Sequence, residues 1–265
     1  MLKVDNGQAI NRLMRFLAVE GVSGREAKIG KDVVAALKEV GVPARAIRFD
    51  DANKKIPVPT ETGNLIVDLP GRGRLGNHPR LLFMTHLDTV PLCAGAKPKI
   101  QGRKIVNTVK TALGGDNRTG CGVLVTLAAE LAKQNLDHPP LTLLFTVREE
   151  SGLWGARFVD PKDLGGVAMG FNYDGRSAAY VTVGAVGADR WEVEITGRAA
   201  HAGGAPERGI SSTLILAEAL AEARRGEERA RREAAMRERY GDGLPGRWII
   251  VASWLCTVVF ALAAV

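Results

Sequence analysis

The chain has 265 residues, 46% of them hydrophobic, and a formal net charge of +7. That apolar fraction excludes general disorder and suffices for one large core or two modest ones. The basic excess is scattered and has no aromatic residues interleaved with it, which argues against nucleic acid as a partner.

Taken in chain order, "MLKVDNGQAINRLMRFLAVEGVSGREAKIG" has neither a continuous apolar h-region nor a small-residue cleavage site, so it predicts a helix rather than a signal peptide and a cytoplasmic start. Helical spacing in "AINRLMRFLAVEGV" and "AKIGKDVVAALKEVGV" then alternates with apolar runs expected to be strands: "GNLIVDLPG", "RLLFMTHLDTV", "LTLLFTVREE" and "GVAMGFNYDG". The helix-like "GCGVLVTLAAELAKQ" falls between the second and third runs. This alternation predicts an α/β fold, a mostly parallel sheet covered by helices. Cys93, Cys121 and Cys256 are odd in number, far apart and without a C-x-x-C, so reduced, packed thiols are expected.

Sheets of this kind bind ligands outside the carboxyl ends of their strands. His86 and Asp88 stand at such an end, and period-2 alternation points both to one side. Asp116 follows two glycines ahead of a helical pattern, where it could equally be an N-cap. Glu149 and Glu150 leave the third apolar run together, and Asp174 leaves the fourth in an Asp-Gly that could simply be a turn. Each position has a structural explanation of its own, but all of them fall where this architecture gathers an active site. Five carboxylates would then meet near one imidazole, and two like charges about 4 Å apart cost roughly 4 kcal/mol at an effective dielectric near 20. Such a cluster calls for cations: zinc suits mixed His and carboxylate ligands, manganese or cobalt could replace it, and two metals sharing a bridging carboxylate use this many acids. Adjacent glutamates diverge, so Glu150 can be a ligand while Glu149 stays free as general base.

The motifs "MTHLDTVP", "GGDNRTG", "REESGLWGA", "FNYDG" and "GRAAHAGGAPERGISS" together resemble the co-catalytic zinc exopeptidases that include peptidase T, a tripeptide aminopeptidase, and carboxypeptidase G. The resemblance covers residues 8 to 222 and leans toward peptidase T. It implies that His86 and Asp174 bind one zinc, Asp88 supports His86, Asp116 bridges two zincs, Glu150 binds the other and Glu149 is the base. It further implies that residues 1–184 form a catalytic domain and 185–222 the start of an inserted α+β lid. In the family that lid mediates dimerisation, and His201 matches the lid histidine that reaches the substrate carbonyl.

After Leu220 the resemblance ends, and the last zinc-binding histidine of the family has no counterpart. Neither His78 nor His138 is placed to replace it. Residues 223–265 read as a basic helix followed by an apolar tail. As a helix, 248–265 would span about 27 Å, near the roughly 30 Å of a bilayer core, with arginines upstream keeping that side cytoplasmic. The other reading, favoured because the lid is cut in mid-domain, is truncation or a frameshift. The expected function is a metal-dependent exopeptidase acting on short peptides, weakly active as given; the alternative is a non-catalytic remnant that binds metal or peptide.

Overall fold

A computed structural model describes residues 2–175, 177–184, 189–240 and 256–259. They fall into two compact units, Met1–Val181 and Thr182–Val265.

In the first unit, helix α1 (Asn6–Leu17) starts at Asp5, whose carboxylate accepts the Gln8 N–H, and it buries Phe16 and Leu17. Helix α2 (Ala27–Glu39) buries Ile29, Val33, Ala36 and Leu37, the one-faced spacing of a helix on a core. Strand β1 (Ile47–Phe49) and the single turn α3 (Ala52–Lys55) lead to β2 (Leu65–Leu69) and β3 (Leu81–His86). A hairpin, β4 (Pro98–Gln101) with β5 (Lys104–Asn107), precedes the long helix α4 (Gly115–Gln134). Then come β6 (Leu141–Thr146), the short α5 (Trp154–Phe158) and β7 (Met169–Asn172).

Five strands form one sheet in the order β1-β2-β6-β3-β7. The expected α/β fold is present, and β3 runs parallel to both β6 and β7. Strand β2 alone departs from that direction: it is antiparallel to β6, and β1, antiparallel in turn to β2, runs the same way as the other three. Every residue of β6 is buried. Its alternate side chains serve two cores: Leu143 and Phe145 join Phe16, Ile29, Leu37, Leu65, Val67 and Leu124 on one face, while Leu144 joins Ile66, Leu82 and Leu164 on the other. Burial on both faces is why Leu143, Leu144 and Phe145 follow one another without a polar residue between them.

Register decides where the site lies. His86 is level with Thr146, and Met84 with Asn172, so β3, β6 and β7 end along one edge. The segments 86–88, 147–150 and 173–174 therefore leave the sheet side by side.

The second unit contains β8 (Asp189–Glu192), helix α6 (Ser212–Tyr240) and β9 (Cys256–Val259), with β8 and β9 parallel. Helix α6 passes residue 223 without a break, and ion pairs between Glu222, Glu227 or Glu228 and neighbouring arginines line its surface. Most of the expected apolar span at 248–265 lies outside the described residues, and Cys256–Val259 within it is a strand. Among the described residues no helix is long and apolar enough to cross a membrane.

Candidate metal centre

His86 closes β3 and is 2% exposed. Its Nδ1 lies 3.0 Å from the carbonyl oxygen of Asp88 and 3.3 Å from that residue's Oδ1. Both are acceptors, so Nδ1 carries a hydrogen and the Nε2 of a neutral ring is left with its lone pair. Asp88, fully buried, has both oxygens engaged: Oδ1 accepts the Glu149 N–H at 2.9 Å, and Oδ2 accepts the Ser23 hydroxyl at 2.5 Å and the Glu150 N–H at 3.3 Å. Burial alone would raise the Asp88 carboxyl, but the His86 imidazole, the Ser23 hydroxyl and the Glu149 amide hold it below its ordinary value. A carboxylate spent in this way orients an imidazole.

Asp116 does not cap α4. Gly114, at φ 83°, holds the N-cap position, and Asp116 and Asn117 have non-helical dihedrals joined by a cis peptide bond. Its Oδ1 instead stands 3.1 Å from His86 Nε2. The Asn117 side chain donates to the Tyr173 carbonyl at 2.7 Å, which ties the start of α4 to the exit of β7 and sets Asp174 beside it. Asp174 Oδ1 is 3.9 Å from the same Nε2. Helix α4 approaches β3 closely at Gly120, where a Cβ would collide with Thr85 Oγ1. Further along, Cys121 turns its Sγ toward the His86 carbonyl oxygen, 3.4 Å away, and burial pushes that thiol up to about 12.

The third wall is the turn after β6. Arg148 sits at φ 51°, in the left-handed region, and its N–H donates to Glu26 Oε1 at 3.0 Å. Glu149 Oε2 then comes to 4.0 Å from His86 Nε2. Burial raises the Glu149, Glu150 and Asp174 carboxyls, and the neighbouring acids push in the same direction. His86 answers to opposing influences: burial would lower it, yet Asp88 first, then Asp174 and Glu149, raise it to about 9.

Two sets of three residues bring one ligand atom each within 4.8 Å of one another: His86 with Asp116 and Asp174, and His86 with Glu149 and Glu150. Carboxylate oxygens crowded around one imidazole repel one another unless positive charge sits among them, the ring's own proton or a metal that displaces it, and mixed nitrogen and oxygen donors suit zinc. All six expected residues of the first unit, His86, Asp88, Asp116, Glu149, Glu150 and Asp174, thus converge at one edge of the sheet. His201 belongs to the second unit, on an exposed turn where its Nδ1 accepts the Gly203 N–H at 3.2 Å. His78 and His138 enter neither set.

Two residues that hold the site were not among the expected site residues. Arg118 is 2% exposed, and its guanidinium donates to the carbonyls of Leu87, Val19 and Gly21, which binds α4 to the end of β3. Glu26 is completely buried, and burial raises its carboxyl to about 7. An acid ahead of a helix reads as an ordinary first-turn charge, so Glu26 gave no signal; Arg118, directly after "GGDN", was the more detectable of the two.

The profile of peptidase family M28 matches residues 64–207, and that of a peptidase dimerisation domain matches 183–243, reaching past Leu220. Among curated relatives, peptidase T of Clostridium acetobutylicum is 24% identical over 228 residues, 73% of this chain and 52% of its own. Carboxypeptidase G2 of a Pseudomonas species is 29% identical over 157 residues, 57% of this chain and 36% of its own. The crystal structure of aminopeptidase PepT from Bacillus cereus is 29% identical with a TM-score of 0.60, and the match covers 82% of this chain and 57% of that one. The chain spans about half the length, or less, of these relatives.

Proposed function

The chain belongs to peptidase family M28, and on that premise we propose a metal-dependent exopeptidase that hydrolyses short peptides, taking them from the N-terminus as a tripeptide aminopeptidase does. The observation that carries this reading is the buried His86 ring, whose Nε2 faces three carboxylate oxygens at 3.1, 3.9 and 4.0 Å.

His86, Asp116 and Asp174 would hold one zinc, with Asp116 shared and Glu150 holding a second; manganese or cobalt could stand in. When bound, the metal supplies Lewis-acid polarisation of the scissile carbonyl and lowers the pKa of water. The rest of the reaction falls to side chains of this chain. Glu149 takes the proton of the attacking water and returns it to the leaving amine, a role that suits a carboxyl raised by its half-buried setting. Asp88 keeps the imidazole in one tautomer. The family resemblance assigns the donor to the developing oxyanion to His201, a residue of the second unit. The dimerisation-domain match supports a second copy of the chain as partner through the second unit, and the free thiols of Cys93 and Cys121 agree with a cytoplasmic setting.

Both ligand sets draw on the same imidazole, and its Nδ1 is already engaged. A second zinc therefore has no imidazole of its own among the described residues, and turnover of this chain is proposed to be low. Tripeptide hydrolysis measured with added zinc, manganese or cobalt, and again with a chelator, tests both statements. Cleavage that survives chelation sinks the metallopeptidase, and turnover in the common range of about 1 to 10³ s⁻¹ sinks the weak activity.

A further inference from the structure

Glu26 is the N-cap residue of α2, yet its side chain makes no capping hydrogen bond. Its Oε1 accepts the Gly24 N–H at 2.7 Å and, from the far side of the sheet edge, the Arg148 N–H at 3.0 Å. Its Oε2 is buried without a hydrogen-bond partner. A carboxylate removed from water and only half satisfied is costly, and an apolar residue would pack there more cheaply. The buried acceptor makes sense for what it holds.

Asp88 accepts the next two amides, those of Glu149 and Glu150. Three successive N–H groups of the turn that presents the glutamates therefore end on two buried carboxylates, one from the start of α2 and one from the end of β3. Arg148 needs that grip, because a left-handed conformation is strained for a non-glycine residue and persists only when its surroundings impose it. The same stretch contributes twice more: Ser23 donates to Asp88, and Gly24, at φ 87°, leaves room for the Arg148 guanidinium, which a Cβ would strike.

We propose that Glu26 is a positioning residue for the Glu149–Glu150 pair, acting through the Arg148 amide. Its functional meaning rests on the metallopeptidase reading, but its geometry can be tested without metal. In the metal-free full chain, Glu26→Ala should speed amide exchange at Arg148, Glu149 and Glu150 by at least about tenfold, the scale of a lost bond to a charged acceptor. The β6 amides of Leu143 and Phe145 should be unchanged. Glu26→Gln, which keeps an acceptor oxygen, should raise exchange at the same three amides by less. Zinc affinity of Glu26→Ala should fall about 10- to 100-fold, the usual cost of disturbing a ligand's support. The proposal is overturned if the three amides exchange as in the unsubstituted chain, or if they speed up only in step with Leu143 and Phe145. Should Glu26→Ala fail to fold, Glu26→Gln decides by the same comparison. An unsubstituted chain that binds no zinc would sink the metallopeptidase reading, and the exchange pattern would still decide the role of Glu26.

Discussion

His86 Nε2 and Asp116 Oδ1 stand 3.1 Å apart across the seam between β3 and α4, joining the end of a strand to the irregular first turn of a helix. Asp116 is also the exposed member of the pair, its side chain 70% accessible, so it faces the imidazole on one side and the opening on the other. A carboxylate so placed can serve two cations. Asp116→Ala should therefore reduce bound zinc more than Asp174→Ala or Glu150→Ala, with affinity down at least about 10- to 100-fold. Elemental analysis after dialysis measures it, and a zinc content indifferent to Asp116→Ala would remove the shared ligand from the scheme.

Glu149 and Glu150 should separate by readout. Glu149→Ala is expected to keep its zinc and lose about 10² to 10⁴ in kcat, the scale of a positioned base, whereas Glu150→Ala should lose zinc as well. Equal metal loss in the two variants would mean that the roles are misassigned.

The protonation of His86 predicts a pH dependence. Its folded value of about 9 lies above the ordinary 6.5 of an imidazole, so the folded chain holds that proton more tightly than the unfolded one. The resulting stability is complete below about pH 6.5 and is lost as pH rises through about 9, so the Tm of the metal-free chain should fall across that window. Zinc must displace the proton. At pH 7 binding should release about one proton, countable by calorimetry in buffers of different ionisation enthalpy; no release would mean that the ring is already neutral.

Gly120→Ala should destabilise the first unit by about 1 to 3 kcal/mol, the usual cost of overpacking. The added carbon would strike Thr85 Oγ1 and come within 2.6 Å of Asn117 Oδ1. Because these residues flank His86 and Asp116, zinc affinity should drop together with Tm. A melt matching the unsubstituted chain would show that α4 can retreat from β3 at little cost.

Much of the first unit was legible because its signals are strong and local. The runs ending in His86 and Thr146 are nearly all apolar, since β3 and β6 lie in the middle of a sheet covered on both sides, and the chemistry follows them directly. The direction of β2 was not legible: "GNLIVDLPG" looks the same whichever way it runs, and pairing across 65–145 is a long-range property. The three residues of β1 and the hairpin β4–β5, polar along "KPKIQGRKIVN", lack the apolar run that marked the other strands. Within the site, ligand candidates announced themselves by residue type and position. Glu26 and Arg118 did not, because what distinguishes them is burial and the identity of distant backbone partners.

Cys121 offers a clock for motions that static distances do not reveal. It is fully buried between α4 and β3, with its sulfur against the His86 carbonyl and its thiol pushed up to about 12, so reagents cannot attack it in the closed state. Cys93 is only partly covered. Modification of Cys121 has to wait for the helix to lift from the strand, the same excursion that would part Asp116 from His86. The slow phase of thiol labelling therefore counts how often the ligand cage comes apart, and the slowing of that phase by zinc would show how firmly a metal keeps it shut.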